Sequence, residues 1–258
     1  MRSYRGRFLA LVAISSIAAI GVLFMGPIPQ DPAYHLFADS RRMEGMPNFW
    51  NVLSNLPFLL AGVWGLLRYP RLTHKESTEA YLVMCVGFLL VGAGSSYYHL
   101  APSNSSLLWD RLPMTVAFMA VLSLLLSERL SLAHPRAVLW LLVSAGAASA
   151  LYWAWTESVG KGDLRPYVLV QFLPVVLIPL MLVMFPRRYL STMLLLWAFV
   201  FYIAAKVLEH FDPQIFHVTG VMAGHAIKHV AAAASALCLI HAVPASRAVV
   251  HRSFDRTE

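Results

Sequence analysis

The chain reads as an all-α fold, a polytopic membrane helix bundle, and three observations carry that reading. Of its 258 residues 59% are hydrophobic and only 13% charged, where a soluble domain carries about 25% charged residues. Mean hydropathy is positive, at +0.63. Eight apolar stretches reach roughly 20 residues, the length that crosses a hydrocarbon core.

The first stretch, 8–26, follows Arg2, Arg5 and Arg7 and ends at Gly26-Pro27. A secretory signal opens in the same way. The run is long and no small-x-small cleavage site follows it, so it is taken as a retained helix. A polar segment, 27–48, carries Asp31, His35, Asp39 and Glu44. The second span, 49–67, closes on Arg68-Tyr69-Pro70, and the third, 80–99, closes on Gly94-Ser95-Ser96-Tyr97-Tyr98-His99. Asp110 opens the fourth, 109–127, with Pro113 one turn beyond it and Ala133-His134-Pro135 after it. The fifth is 137–156. The sixth, 167–185, contains Pro174 and Pro179 and stops at Phe185-Pro186-Arg187-Arg188. The seventh is 189–208, and a polar loop, 209–220, with Glu209, His210, Asp212 and His217, leads into the eighth, 222–243. Proline frees a backbone carbonyl, which membrane helices tolerate where neighbours satisfy it. Short connections make sequential helices antiparallel neighbours, and the two longer segments, 27–48 and 209–220, are expected to form the lids or mouth of a site.

Lys and Arg divide unequally between alternate sides. One side holds Arg2, Arg5, Arg7, Arg68, Arg71, Lys75, Arg129, Arg136, Arg187, Arg188, Arg247, Arg252 and Arg256; the other holds Arg41, Arg42, Lys161 and Arg165. By the positive-inside rule both termini are cytoplasmic. The net charge of +7 is thus a topology signal facing anionic lipid, and no nucleic-acid partner is implied. Cys85 and Cys238 fall inside spans, where a thiol serves as a small apolar filler.

Ionisable groups at membrane depth are costly and persist where they pair, bind ions or do chemistry. His99 ends one span and Asp110 begins the next, so both lie at the non-cytoplasmic end. His225 and His229 enter the last span from that same side. Their four-residue spacing puts two imidazoles on one helical face, able to chelate one ion. Three neutral His ligands with one open position make a catalytic zinc arrangement. Ser95 shares a face with His99 and is a candidate donor to an oxyanion, and Asp110 is a candidate base. The competing view makes each His an isolated interhelical hydrogen-bonding group, Ser95 a residue bonded to its own i−4 carbonyl, and Asp110 the partner of Arg111 or Lys228. His210, His217 and Glu209 read as surface residues, and Tyr97, Tyr98, Trp109 and Trp50 as interface aromatics.

With Ser95-x-x-x-His99, Asp110 and His225-x-x-x-His229 in place, the chain resembles the alkaline ceramidase family, part of a superfamily of seven-helix membrane hydrolases that includes the adiponectin and progestin receptors. Asn48-Phe49-Trp50-Asn51-Val52-Leu53-Ser54-Asn55-Leu56-Pro57-Phe58 resembles that family's opening helix. The resemblance implies a seven-helix hydrolase core over 48–245; the N-terminal helix and loop over 1–47 are one helix more than the family has, and a cytoplasmic tail follows over 246–258. It also implies zinc on His99, His225 and His229, catalysis by Ser95 and Asp110, and hydrolysis of the amide of an N-acyl sphingoid lipid. Asp31, Asp39 and Glu44 do not reproduce the family's acidic calcium-binding stretch, so calcium is not expected. Lys228 departs from the bulky apolar or aromatic residue of relatives and would suit an anionic head group.

The expectation is therefore a bacterial inner-membrane amidase whose site opens to the non-cytoplasmic side, with acyl chains held by Phe118, Leu169, Phe172 and Trp197. A lipid-sensing receptor with a structural zinc is the alternative. A transporter is disfavoured because the two halves show no inverted repeat.

Overall fold

A computed structural model describes residues 2–246, so the tail from 247 onward, with Arg247, Arg252 and Arg256, lies outside the described residues. Ten α-helices follow in order: α1 Arg2–Phe24, α2 Phe49–Leu53, α3 Leu56–Arg68, α4 Thr78–Leu100, α5 Asn104–Leu130, α6 Pro135–Ser158, α7 Arg165–Met184, α8 Thr192–His210, α9 Asp212–Thr219 and α10 Gly224–Ala242. Eight helical segments are long and apolar enough to cross a membrane, one for each stretch read from the sequence. The chain is a multi-pass membrane protein.

Three elements differ from the sequence reading. The second span is not one helix: α2 ends at Leu53, and α3 begins at Leu56 with Pro57 in its first turn. Proline cannot donate a backbone hydrogen bond there, so it starts a new helix in place of continuing the old one. The expected loop over 209–220 contains α9, which ends at Gly220 in the left-handed conformation that closes helices. Asp110, expected at a helix start, sits well inside α5. That helix begins earlier because Ser103 and Ser106 form a capping box, each side chain accepting from the other's backbone N–H, at 3.1 and 3.0 Å.

The bundle is a ring. Helix α4 packs between α3 and α5, α5 against α6 and α7, and α10 against α8 and α3, while α7 and α8 meet only sparsely. Helix α1 lies outside this ring against α7 and is held at both ends by hydrogen bonds to backbone carbonyls. Tyr4 and Arg7 donate to Leu130 O and Met184 O at 2.9 and 2.7 Å, and Arg165 donates to Leu23 O and Met25 O at 3.0 and 2.8 Å. At the end of α5, buried Glu128 pairs with Arg129 at 2.7 Å and accepts from the backbone N–H groups of Arg188 and Tyr189 at 2.7 and 3.0 Å. The α7–α8 connection is thereby fastened to the core by an acid whose charge is matched in place.

The closest helix contact lies at the opposite end of α5. Pro113 has no N–H to give the carbonyl of Trp109, four residues earlier, and Gly94 of α4 lies directly against that carbonyl: a Cβ on Gly94 would stand 1.9 Å from Trp109 O. Replacing Gly94 with Ala must push α4 off α5, at a cost of about 1–3 kcal/mol, read as a lowered unfolding midpoint in detergent. Gly6→Ala, where an added Cβ meets nothing within 4 Å, should leave the midpoint unchanged or slightly raised.

Candidate metal and active site

The last turn of α4 and the first turns of α10 bring three histidines together. The ring centroids of His99, His225 and His229 form a nearly equilateral triangle with sides of 5.0, 5.1 and 5.1 Å. One ligand nitrogen from each lies within 4.8 Å of the others. All three side chains are buried.

The nitrogens themselves fit a metal ion. The Nδ1 of His229 lies 2.8 Å from Ser54 Oγ, and that hydroxyl donates to Asn51 O at 3.2 Å. The hydroxyl's proton is therefore engaged, so Nδ1 carries the hydrogen and Nε2 is left with a free lone pair. His99 Nδ1 and His225 Nε2 are buried without any hydrogen-bond partner. Unsatisfied buried nitrogens are rare and require a cause, and three imidazoles around one point suit an ion of the zinc, copper, iron or nickel kind.

Several residues outside the motif hold this triangle. Asp212 accepts from the backbone N–H of His225 at 2.6 Å and from that of Ala38 at 3.1 Å, joining the first turn of α10 to the 27–48 segment. Gly224 allows this turn to approach α8, since a Cβ there would meet Leu208 O at 2.1 Å. The 27–48 segment lies over the site as expected of a lid. Phe37 packs on His99 and His225 at 4.7 and 4.6 Å between centroids. His35 bonds Tyr98 Oη and Asn104 Oδ1, both at 2.9 Å, and Asn48 Nδ2 donates to His99 O at 2.9 Å. Arg41 donates to Val221 O at 2.6 Å and, by hydrogen bonding to Asp39, holds that carboxyl below the usual carboxylate range. Tyr98, read from sequence as an interface aromatic, is instead a buried support for His99 and His35; Tyr97 and Trp109 are more than half exposed, as interface aromatics are.

Beside the triangle is a cavity of about 380 Å³, lined by α3, α4, α5, α7, α8 and α10. Ser95, Asp110 and His229 all face it. No ion pair joins Asp110 to Arg111 or Lys228 among the described residues. The walls along α5, α7 and α8 are apolar and include Phe118, Phe172, Ile178 and Phe199. Leu169 and Trp197 do not line it; Trp197 points outward, half exposed.

The largest correction concerns Glu209. Sequence reading left it on the surface, whereas its carboxylate lies on the cavity, bonded to Lys206 at 2.6 Å and also to Lys228. The signal was present in the spacing: Lys206 and Glu209, three apart, share a helical face that ends in the polar mouth. The cavity is thus amphiphilic, apolar in its depth and charged at the end beneath the 27–48 segment.

A protein-family model described as Ceramidase matches residues 43–255 of the chain. None of the curated proteins matches it.

Replacing Ser54 with Ala removes the hydrogen-bond partner of His229 and should weaken metal binding about 10- to 100-fold. Competition with a chromophoric chelator measures this; an unchanged affinity would separate Ser54 from the metal site.

Proposed function

The chain belongs to the ceramidase family, and on that premise we propose that it is a zinc-dependent intramembrane hydrolase that cleaves the amide of an N-acyl lipid to a fatty acid and an amine. The observation that carries this reading is the buried histidine triangle, with its unpartnered ring nitrogens, opening beside an amphiphilic cavity that also holds Ser95 and Asp110. His99, His225 and His229 would hold zinc. Bound there, zinc would supply Lewis acidity, polarising a carbonyl and lowering the pKa of water.

The apolar walls of α5, α7 and α8 take the acyl chain, which directs the amide to the end where Ser95 and Asp110 lie. Asp110 takes one proton from the attacking water as its oxygen adds to the carbonyl carbon. Ser95 donates a hydrogen bond to the carbonyl oxygen as that oxygen gains negative charge. When the C–N bond breaks, Asp110 returns the proton to the departing nitrogen. The fatty acid then ionises, its proton passing to the amine, and the charged pair of products leaves. The 27–48 segment, held over the triangle through Phe37 and His35, limits water to what the reaction consumes.

From the basic residues we infer that the ends of α3, α5 and α7 and the start of α1 lie in the cytoplasm, so that the cavity's charged end faces the non-cytoplasmic side of a plasma membrane. A reporter active only in the cytoplasm should be active when fused to the C-terminus and silent when inserted near Lys161.

Protein purified in detergent is expected to carry about one zinc per chain and to release fatty acid from ceramide-like lipids. His229→Ala should lose both. Asp110→Asn should keep the metal and lose roughly 10²- to 10⁴-fold in kcat. Stoichiometric zinc with no release from any N-acyl lipid would instead favour a lipid-sensing receptor with structural zinc.

A further inference from the structure

Arg111 is a buried cation that the reaction above does not use. It follows Asp110 on α5 and is 5% exposed. Its Cζ lies 4.3 Å from the ring centre of Trp153, 4.9 Å from that of Tyr167 and 5.4 Å from that of Tyr34. One terminal nitrogen, Nη2, donates to Gln30 Oε1 at 2.6 Å, while the other, Nη1, is buried with no partner. Among the described residues no carboxylate lies within ion-pair distance of it. A guanidinium withdrawn from water in this way is costly until an anion completes it. Its planar array of N–H groups matches a carboxylate or a phosphate.

Arg111 lines the same cavity as Asp110, at its charged end. Lys206 and Lys228 also line it and share a single carboxylate, Glu209. Together with Asp110 the lining presents three cations and two carboxylates, an excess of positive charge in a low-dielectric enclosure. With the acyl chain in the apolar depth and the amide at Asp110, the part of a substrate that reaches Arg111 is the part attached to nitrogen.

We propose that this end of the cavity is an anion subsite, in which Arg111, supported by Lys228, binds a carboxylate or phosphate carried on the amine side of the N-acyl lipid. The inference rests on the amidase reading and narrows its substrate class to anionic N-acyl amphiphiles. The same subsite chemistry would also fit the carboxylate of a released fatty acid, and the experiment separates the two.

The test is kcat/KM for matched pairs in a neutral detergent: N-palmitoylglycine against N-palmitoylethanolamine, which differ by a carboxylate for a hydroxymethyl group, and ceramide 1-phosphate against ceramide. A second arm measures retention of the first pair by immobilised Asp110→Asn protein, with palmitate as competitor. The wild type should favour the anionic member of at least one pair by roughly tenfold or more. Arg111→Met should bring that ratio close to one, and Arg111→Lys should restore part of it. Equal or reversed preference in the wild type overturns the proposal. So does Arg111-dependent competition by palmitate without any preference within the pairs, which assigns the subsite to the released acid. If no lipid is hydrolysed, the amidase reading fails by itself and the retention arm decides the anion subsite. Should Arg111→Met not fold, the ratio in Lys228→Met decides it, a fall supporting the subsite and an unchanged value overturning it.

Discussion

The approach of α4 to α5 at Gly94 governs where the polar groups of this protein lie. Pro113 withholds a hydrogen bond from the Trp109 carbonyl, and Gly94 fills the space beside that carbonyl with backbone alone. The next residue along each helix, Ser95 on one and Asp110 on the other, is thereby brought onto the same cavity, and His99 follows Ser95 by one turn on the same face. A wider separation would displace all three at once. The same device recurs at Gly224, whose close fit against α8 sets the height of His225 and, one turn on, of His229. Two glycines, each immediately before a site residue, thus fix both halves of the histidine triangle.

Hydrocarbon makes each of these groups expensive, and the structure meets the cost by chaining them together. His229 is oriented by Ser54, which falls in the break between α2 and α3 and itself donates to Asn51 O. His225 is anchored through Asp212, and Asp212 also grips the 27–48 segment. That segment in turn lays Phe37 on two of the rings and ties Tyr98 through His35. Loss of any one link would leave a buried donor or acceptor without a partner, which is why the polar end is expected to be rigid although much of it is loop.

Much of this was legible in the chain. Eight spans stand out because a bilayer demands about 20 apolar residues. The histidines stand out because His-x-x-x-His puts two rings on one face. What was not legible depended on neighbours distant in sequence. Nothing near Glu209 reveals that Lys228, nineteen residues on, turns towards it across the α8–α10 contact. Tyr98 looks like any interface tyrosine until His35 is seen to reach it. The early start of α5 was written in Ser103 and Ser106, but the run Ser103-Asn104-Ser105-Ser106 is polar throughout and easily taken for loop. Arg111 beside Asp110 suggested an ion pair; three aromatic rings from separate parts of the chain enclose it instead.

Among the described residues, helix α1 makes its hydrogen bonds to the bundle only near its two ends, from Tyr4 and Arg7 at one and through the carbonyls of Leu23 and Met25 at the other. Every one of these bonds is accepted by main-chain oxygen, an atom common to all residue types. Between its ends α1 meets the bundle through apolar contact, with Leu11 buried in the core and Ile14 packed against it. Its outward positions, such as Ile17 and Ile20, answer only to the need to be apolar, whereas the core around α4 and α10 is held by specific polar contacts, so a single polypeptide would hold two clocks running at very different rates.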